Sequence, residues 1–128
     1  AYMGLQQEAQ KLVVERASTS SGEMRFPAFL PSMQDFRPNE DHLSNMRTAL
    51  QAMLVQHGDG GDRTIALLPA WPCDEWSVEF KVHLPQRTVL HAQYDHTTRA
   101  LLVKEIEPAA RRTDVHASCA KAVRFAAF

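Results

Sequence analysis

The feature that most constrains the fold is a change of hydrophobic period at a glycine-rich break, residues 57–62 (HGDGGD). Before the break, apolar residues recur at spacings of three and four, which is typical of amphipathic helices. After it, they alternate with polar residues, which is typical of half-buried strands. Because the helices precede the strands instead of alternating with them, we expect an α+β fold or the junction of two domains.

Two helices are predicted before the break. The first covers residues 2–17, where apolar residues at positions 5, 9, 12 and 13 share one face. The second begins in the Pro-Asn-Glu-Asp-His segment, residues 38–42, and ends near Gln56. Its apolar stripe consists of Leu43, Met46, Leu50, Met53 and Leu54. Between the helices, residues 25–31 (RFPAFLP) are expected to form an apolar extended loop, because two prolines disfavour both a helix and a central strand.

At least four strands are predicted after the break. Residues 64–68 form a short buried strand, and residues 78–84 alternate as a half-buried strand does. Residues 88–94 and 100–106, joined by a polar turn, are predicted to form a hairpin. The alanine-rich tail, residues 113–128, fits more than one structure.

Composition narrows the class of protein. The 128 residues suffice for one ordinary domain, and 14 Lys and Arg against 15 Asp and Glu give a net charge of −1. This balance argues against nucleic-acid binding, and no apolar run approaches the roughly 20 residues that span a bilayer. The two cysteines, Cys73 and Cys119, allow either one bridge or two free thiols. Because the chain begins at Ala1 and not at a methionine, we expect a piece of a longer protein.

Several segments between residues 49 and 106 resemble a known family. They read ALQAMLVQ, TIALLPAWP, WSVEFKVHLP, TVLHAQYD and KEIEP. Together they resemble the C-terminal part of the family 95 α-L-fucosidases and their bacterial relatives, in which a helix ending in MLLQS leads to a strand similar to IHLLPALP. The resemblance extends over residues 9–114. Its most specific element is the LLPAWP strand end that follows an MLxQ helix.

The resemblance implies a division of the chain. Residues 1–58 would supply the last helices and one active-site loop of an (α/α)6 barrel, and residues 59–128 a small antiparallel sheet or sandwich that closes the chain. The missing N-terminal barrel would be the partner of this piece. The parent protein is expected to be secreted or periplasmic and to hydrolyse an oligosaccharide or polysaccharide with inversion, without a cofactor.

Asp41 is the candidate catalytic residue that the resemblance implies. Counting back without gaps from Met53, it falls on the family's aspartate in a QIDGNFGG segment, which supports activation of the hydrolytic water. His42 and Leu43 replace the glycine and asparagine that follow this aspartate in the family. The alternative is that Asp41 only caps the helix, as aspartate does well.

Two further residues are candidate sugar contacts. His42 is able to hydrogen-bond a sugar hydroxyl or tune Asp41, although a histidine in the first turn of a helix is often simply exposed. Asp35, flanked by aromatic residues, is a second carboxylate candidate, and Glu40 a third. The general acid, a glutamate in the family, is expected upstream, so the 128 residues are expected to be inactive alone.

The tryptophans and the strand histidines are considered as a sugar platform and as metal ligands. Trp71 and Trp76 offer faces for sugar rings, but Trp71, between alanine and proline at a strand end, is predicted to pack as a wedge. The histidines on the strands are accompanied by no recognised ligand spacing, so no metal site is predicted. The alternative function is a stand-alone carbohydrate- or partner-binding α+β module. An exposed apolar helix face would favour the fragment, and a closed core the module.

Overall fold

The computed structural model describes residues 1–18 and 40–127, with residues 40–43 described by their backbone alone. Within these ranges, two α-helices precede all the strands, which confirms the predicted α+β class. The helices are α1 (Gln6–Ser18) and α2 (Glu40–Leu54). The strands are β1 (Val55–His57), β2 (Ile65–Leu67), β3 (Val78–Leu84), β4 (Thr88–Asp95), β5 (Ala100–Glu107), β6 (Val115–Ala117) and β7 (Ala122–Phe125). A 3₁₀ helix, Ala109–Asp114, joins β5 to β6.

The strands form two sheets. In the larger sheet the order is β3-β4-β5-β7, with β4 antiparallel to both β3 and β5, and β7 parallel to β5. In the smaller sheet the order is β1-β2-β6, with β1 antiparallel and β6 parallel to β2. The tail therefore adds one parallel strand to the edge of each antiparallel unit.

Both helix predictions need corrections at their ends. The first helix begins at Gln6 and not at residue 2, because Gly4 takes a left-handed conformation (φ +69°) and its N–H donates to the Ala1 carbonyl at 2.9 Å. The second helix ends at Leu54 and not near Gln56. Residues 55–57 are extended because they pair with β2, with His57 opposite Ile65.

The strand predictions are confirmed. Residues 78–84 coincide with β3, and β4 and β5 form the expected antiparallel hairpin. A bulge between His91 and Ala92 shifts the register, so that His91 lies opposite Glu105 and Ala92 opposite Val103. The bulge allows the inward-facing residues of both strands to reach the core despite the extra residue in β5.

One core unites α2 and the two sheets. Its largest fully buried side chains are Tyr94, Met53, Ile65, Leu67, Leu68, Leu90, Leu101, Val103 and Thr88. The first helix contributes a single buried residue, Ala9. The predicted division after residue 58 falls directly after β1, which pairs with β2. That division stays a prediction.

The two cysteines form a disulfide, which resolves the alternatives that the sequence left open. Cys73 lies in the segment after β2, and Cys119 lies between β6 and β7. The Tyr94 hydroxyl donates to the Cys73 carbonyl at 3.0 Å. The bridge and this hydrogen bond fix the tail against the centre of the core.

We predict that reduction of the disulfide lowers the free energy of unfolding by about 4 kcal/mol, because the bridge closes a loop between residues 46 positions apart. Urea denaturation with and without a reductant measures the difference. The double variant Cys73→Ala/Cys119→Ala, without reductant, should match the reduced protein. An unchanged denaturation midpoint after complete reduction would contradict the prediction.

Candidate functional site

The predicted catalytic and sugar-contacting residues divide between two places. Asp41 and His42 both lie in the first turn of α2, where the positive end of the helix dipole favours a carboxylate. Asp35 lies outside the described residues. The backbone therefore places Asp41 and His42 side by side at one helix end, and the roles predicted for them stay predictions.

Trp71 packs in the core. Its side chain is 6% exposed, and its indole N–H donates to the Trp76 carbonyl at 2.9 Å. The two indole rings meet edge to face, with centroids 5.4 Å apart. The predicted packing role of Trp71 is confirmed, and its buried ring is not a platform for a sugar. Trp76 is half-buried.

The strand histidines are held apart by the register of the sheet. His91 lies opposite Lys81, whereas His83 lies opposite Val89, so the two histidines do not pair across the hairpin. The His96 ring lies 2.8 Å from the Ser77 hydroxyl. Within residues 1–18 and 40–127, no group of three or more His, Cys, Asp or Glu side chains is placed to hold a metal ion.

Ion pairs cover the outer face of the larger sheet. Glu79 lies 2.7 Å from the Lys104 ammonium and 2.8 Å from His91 Nε2. These hydrogen bonds, that of Lys104 foremost, lower the pKa of Glu79. Lys81 pairs with Glu105 at 2.7 Å, and this bond lowers the pKa of Glu105. Such exposed pairs contribute little to stability, and this face has the character of an ordinary solvated surface.

A shallow apolar groove of about 360 Å³ lies between the two helices. Its apolar lining is formed by Leu12, Val13, Met46 and Ala49. Leu12 is 65% exposed, and Val14 of α1 and Leu5, just before α1, are also exposed. Of the apolar stripe predicted for α1, Leu5 and Leu12 are exposed, whereas Ala9 is buried and Val13 packs partly buried against the core.

A second, larger cavity of about 650 Å³ lies between the β3–β4 turn and the 3₁₀ helix. Its lining comes from the turn (Gln86 and Arg87), from the end of β5 (Glu105, Ile106 and Glu107) and from the start of the 3₁₀ helix (Pro108, Ala109 and Arg112). We refer to it as the arginine cavity. Its volume falls in the usual range for a small-molecule site.

A buried arginine supports one wall of the arginine cavity. Arg111 is 4% exposed, and its Nη1 donates to Gln86 Oε1 and to Thr88 Oγ1, both at 2.9 Å. Its Nη2 donates to the Arg63 carbonyl at 2.8 Å, and its Nε to the Asp114 carboxylate at 2.6 Å. A buried guanidinium needs this full set of acceptors, because an unpaired buried charge is strongly unfavourable.

The turn held by Arg111 has an unusual backbone. Gln86 and Arg87 are consecutive left-handed residues, with φ of 61° and 54°. This conformation costs about 1 kcal/mol or more for each residue other than glycine. The Arg111 guanidinium offsets this cost by binding the Gln86 side chain at 2.9 Å and approaching the Pro85 carbonyl at 3.4 Å. The turn is thereby fixed, with Arg87 at the cavity.

Arg112 forms part of the opposite wall. It is half-buried, and its guanidinium carbon lies 5.6 Å from the centroid of the Phe125 ring in β7. A cation over an aromatic face is attracted by the negative charge density of the ring. The contact orients Arg112 beside the cavity.

Sequence reasoning missed the arginine cavity. Apart from Asp114, which is three positions away, the acceptors of Arg111 lie 23 to 48 positions away along the chain, so no local spacing relates them. The available signals were weak: two adjacent arginines follow Pro108 in a nearly neutral chain, and Gln86 and Arg87 occupy the turn between two alternating strands.

Comparison of the chain with known protein families, curated proteins and solved structures finds no match. Among the residues described, no helix is long and apolar enough to cross a membrane. Functional inference therefore depends on the residue patterns and on the geometry given above.

We predict that Arg111→Met lowers the free energy of unfolding by about 3 kcal/mol, because it leaves Asp114 and several acceptors without their buried donor. Urea denaturation measures the loss. Arg124→Met, at an exposed position in β7, is the matched control and should change stability little. Equal effects of the two substitutions would refute the role assigned to Arg111.

We predict a second, pH-dependent effect at Asp114. Burial raises the pKa of Asp114, but hydrogen bonds from Arg63 and Arg111 outweigh this effect, so the pKa lies below its ordinary value of 3.8. A depressed carboxyl pKa stabilises the fold above the unfolded-state pKa, and this stabilisation is lost as the pH falls through the folded-state pKa.

Thermal unfolding between about pH 6 and about pH 2.5 measures the effect of Asp114. Asp114→Asn should have a lower Tm than the wild type near pH 6, and the difference should shrink below the ordinary pKa of 3.8. Parallel curves across the whole range would contradict the assignment.

Proposed function

We propose that this chain supplies the C-terminal part of a carbohydrate-hydrolysing protein similar to the family 95 α-L-fucosidases. The observation that carries the proposal is the MLxQ segment followed by the LLPAWP segment. In the fold, the first segment ends α2 and enters β1, and the second begins at Leu67, the last residue of β2, and contains the buried Trp71. The two segments thus lie where the chain leaves the helices and enters the core of the sheets.

The exposed face of the helices supports a missing partner barrel. Soluble monomers rarely expose contiguous apolar surface, yet Leu12 of α1 is 65% exposed and Leu5, just before α1, is 47% exposed. The groove between the helices adds Met46 and Ala49 to this surface. Neighbouring barrel helices of the parent protein would bury these side chains.

Within this proposal, Asp41 helps to position the hydrolytic water at the active-site mouth of the barrel. Inversion requires an acid and a separate base, with their carboxyl groups roughly 6.5–9.5 Å apart to leave room for water. His42 and Asp35 are the proposed sugar contacts beside it. The general acid lies in the preceding part of the parent protein, and no cofactor takes part.

The disulfide favours the expected location of the parent protein. Disulfides persist in oxidising compartments and are rare where thiols are kept reduced. The Cys73–Cys119 bridge is therefore compatible with a secreted or periplasmic protein.

The second candidate is a stand-alone binding module for a glycan or a partner protein. Its support is the closed core of the sheets, where Ile65, Leu67, Leu90 and Leu101 have no exposed surface. The buried Trp71 removes one of the two tryptophans considered for stacking on a sugar. Titration of tryptophan fluorescence with oligosaccharides tests this candidate through the half-buried Trp76.

We predict that the purified 128-residue chain does not hydrolyse aryl fucosides or aryl galactosides, because in this proposal the general acid belongs to the preceding part of the parent protein. In the protein encoded by the full reading frame, Asp41→Asn should lower kcat by about two orders of magnitude or more. Asparagine serves the helix terminus about as well as aspartate, so the Tm should change little.

Glu8→Gln, which removes a carboxylate from the first turn of α1, is the matched control and should retain activity. Turnover by the 128 residues alone would overturn the fragment proposal. A full reading frame that adds no upstream residues would also overturn the fragment proposal. The stand-alone binding module would then be the remaining candidate. An unchanged kcat for Asp41→Asn would reject the role of Asp41.

A further inference from the structure

A third cavity, of about 560 Å³, lies where the end of α2 and β1 meet the N-terminal turn. Its volume falls in the usual range for a small-molecule site. Six of the residues that line it carry polar side chains: Tyr2, Thr48, Gln51, Gln56, His57 and Asp59. We refer to it as the tyrosine cavity.

Three of these side chains are oriented by hydrogen bonds of their own and keep one acceptor atom each. Gln56 Nε2 donates to the backbone carbonyl one helical turn earlier at 2.9 Å, which leaves Gln56 Oε1. His57 Nδ1 donates to the next backbone carbonyl at 2.9 Å, so that Nε2 of the neutral ring is an acceptor. Asp59 Oδ1 accepts the next backbone N–H at 2.8 Å, which leaves Asp59 Oδ2. No described residue supplies a donor to these three remaining atoms.

Two further polar side chains come from α2. Thr48 and Gln51 are three positions apart, so they lie on the same face of the helix. Both are exposed, and neither the hydroxyl nor the amide has a partner among the described residues. Each of these groups both donates and accepts hydrogen bonds. The described part of the lining includes no lysine or arginine, so it favours a ligand rich in O–H donors over an anion.

The apolar surface of the cavity depends on one aromatic ring. Ala52 and Val55 also line it, but they are only 8% and 5% exposed. Tyr2 is 81% exposed, in the turn that the Gly4 N–H closes by donating to the first backbone carbonyl at 2.9 Å. An aromatic ring offers a flat apolar face with a polar hydroxyl at its end. Such a face suits the C–H side of a sugar ring.

We propose that the tyrosine cavity binds a neutral saccharide. Tyr2 packs against the C–H face of one sugar unit, the three oriented side chains accept hydrogen bonds from its hydroxyls, and the two α2 side chains donate and accept further ones. The choice of a sugar rests on the proposed carbohydrate function, whereas the choice of a neutral, hydroxyl-rich ligand rests on the lining. Asp41 precedes Gln51 by ten helical residues, about 15 Å along the axis, so this binding site is separate from the proposed hydrolytic one.

The test is a titration of the 128-residue chain, followed by NMR and calorimetry. The probes are xylotetraose and galactotetraose as neutral saccharides, tetragalacturonate as an acidic one, and spermidine as a cation without a sugar ring. We expect the neutral tetramers to shift the amide resonances of residues 2–4 and 48–59. Tetragalacturonate should bind more weakly, because the Asp59 carboxylate repels it. Salt should leave binding of the neutral tetramers nearly unchanged, because screening acts on charges.

Variants at exposed positions assign the contacts. Tyr2→Ala should weaken binding of the neutral tetramers about tenfold, because it removes the aromatic face. Met3→Ala, at the neighbouring exposed position outside the lining, is its control and should leave the affinity unchanged. Gln51→Ala should weaken binding about fivefold through lost hydrogen bonds. Gln93→Ala, which removes an exposed glutamine from β4, is its control.

Three results would overturn the proposal. The first is an absence of shifts at the cavity with both neutral tetramers. The second is an unchanged affinity of Tyr2→Ala, which would remove the role of the ring. The third is binding of spermidine or tetragalacturonate as tight as that of the neutral tetramers, which would remove the selectivity for a neutral sugar. None of these results bears on Asp41, whose test is hydrolysis by the full-length protein, so the two proposals fail separately.

Discussion

The architecture depends on one buried guanidinium. Arg111 lies in the 3₁₀ helix and donates to the backbone before β2, to the β3–β4 turn and to the first residue of β4. It thereby joins the margin of the smaller sheet to the margin of the larger one. A buried charge tolerates few alternative arrangements, because every displaced donor leaves an unsatisfied polar group. The position of the 3₁₀ helix in turn sets where β6 and β7 begin, and each of these strands completes a different sheet.

The disulfide acts on the same tail from its other side. Arg111 fixes the tail before β6, and Cys119 fixes it between β6 and β7. With short strands of three and four residues, β6 and β7 gain limited stability from their own ladders. Attachment at two points keeps them in register with β2 and β5.

The two ends of the chain differ in how completely they are packed. The sheets surround a core of side chains without exposed surface, whereas α1 contributes Ala9 and the partly buried Val13 and presents Leu12 to solvent. This difference is what the fragment proposal explains best, because a partner would cover the helices and leave the sheets self-contained.

The sequence alone was sufficient for the class of fold and for most elements. The period of the hydrophobic residues predicted the helices, β3 and the β4–β5 hairpin, since these depend on neighbours along the chain or across a short turn. It placed Trp71 in the core for the same local reason, a bulky ring between alanine and proline at a strand end. It failed at the ends of both helices, where Gly4 and the pairing of β1 with β2 override the helical pattern.

Only the tertiary structure decided the rest. The tail carries no period, because its two strands are short and lie at the edges of sheets, so its structure depends on partners far away in the sequence. The choice between a bridge and free thiols required the distance between Cys73 and Cys119, and the arginine cavity required the convergence of a turn, a strand end and a 3₁₀ helix. Periodicity records which face of an element is buried. It does not indicate which donor pairs with which acceptor far away in the sequence, and the cavity depends on such pairs.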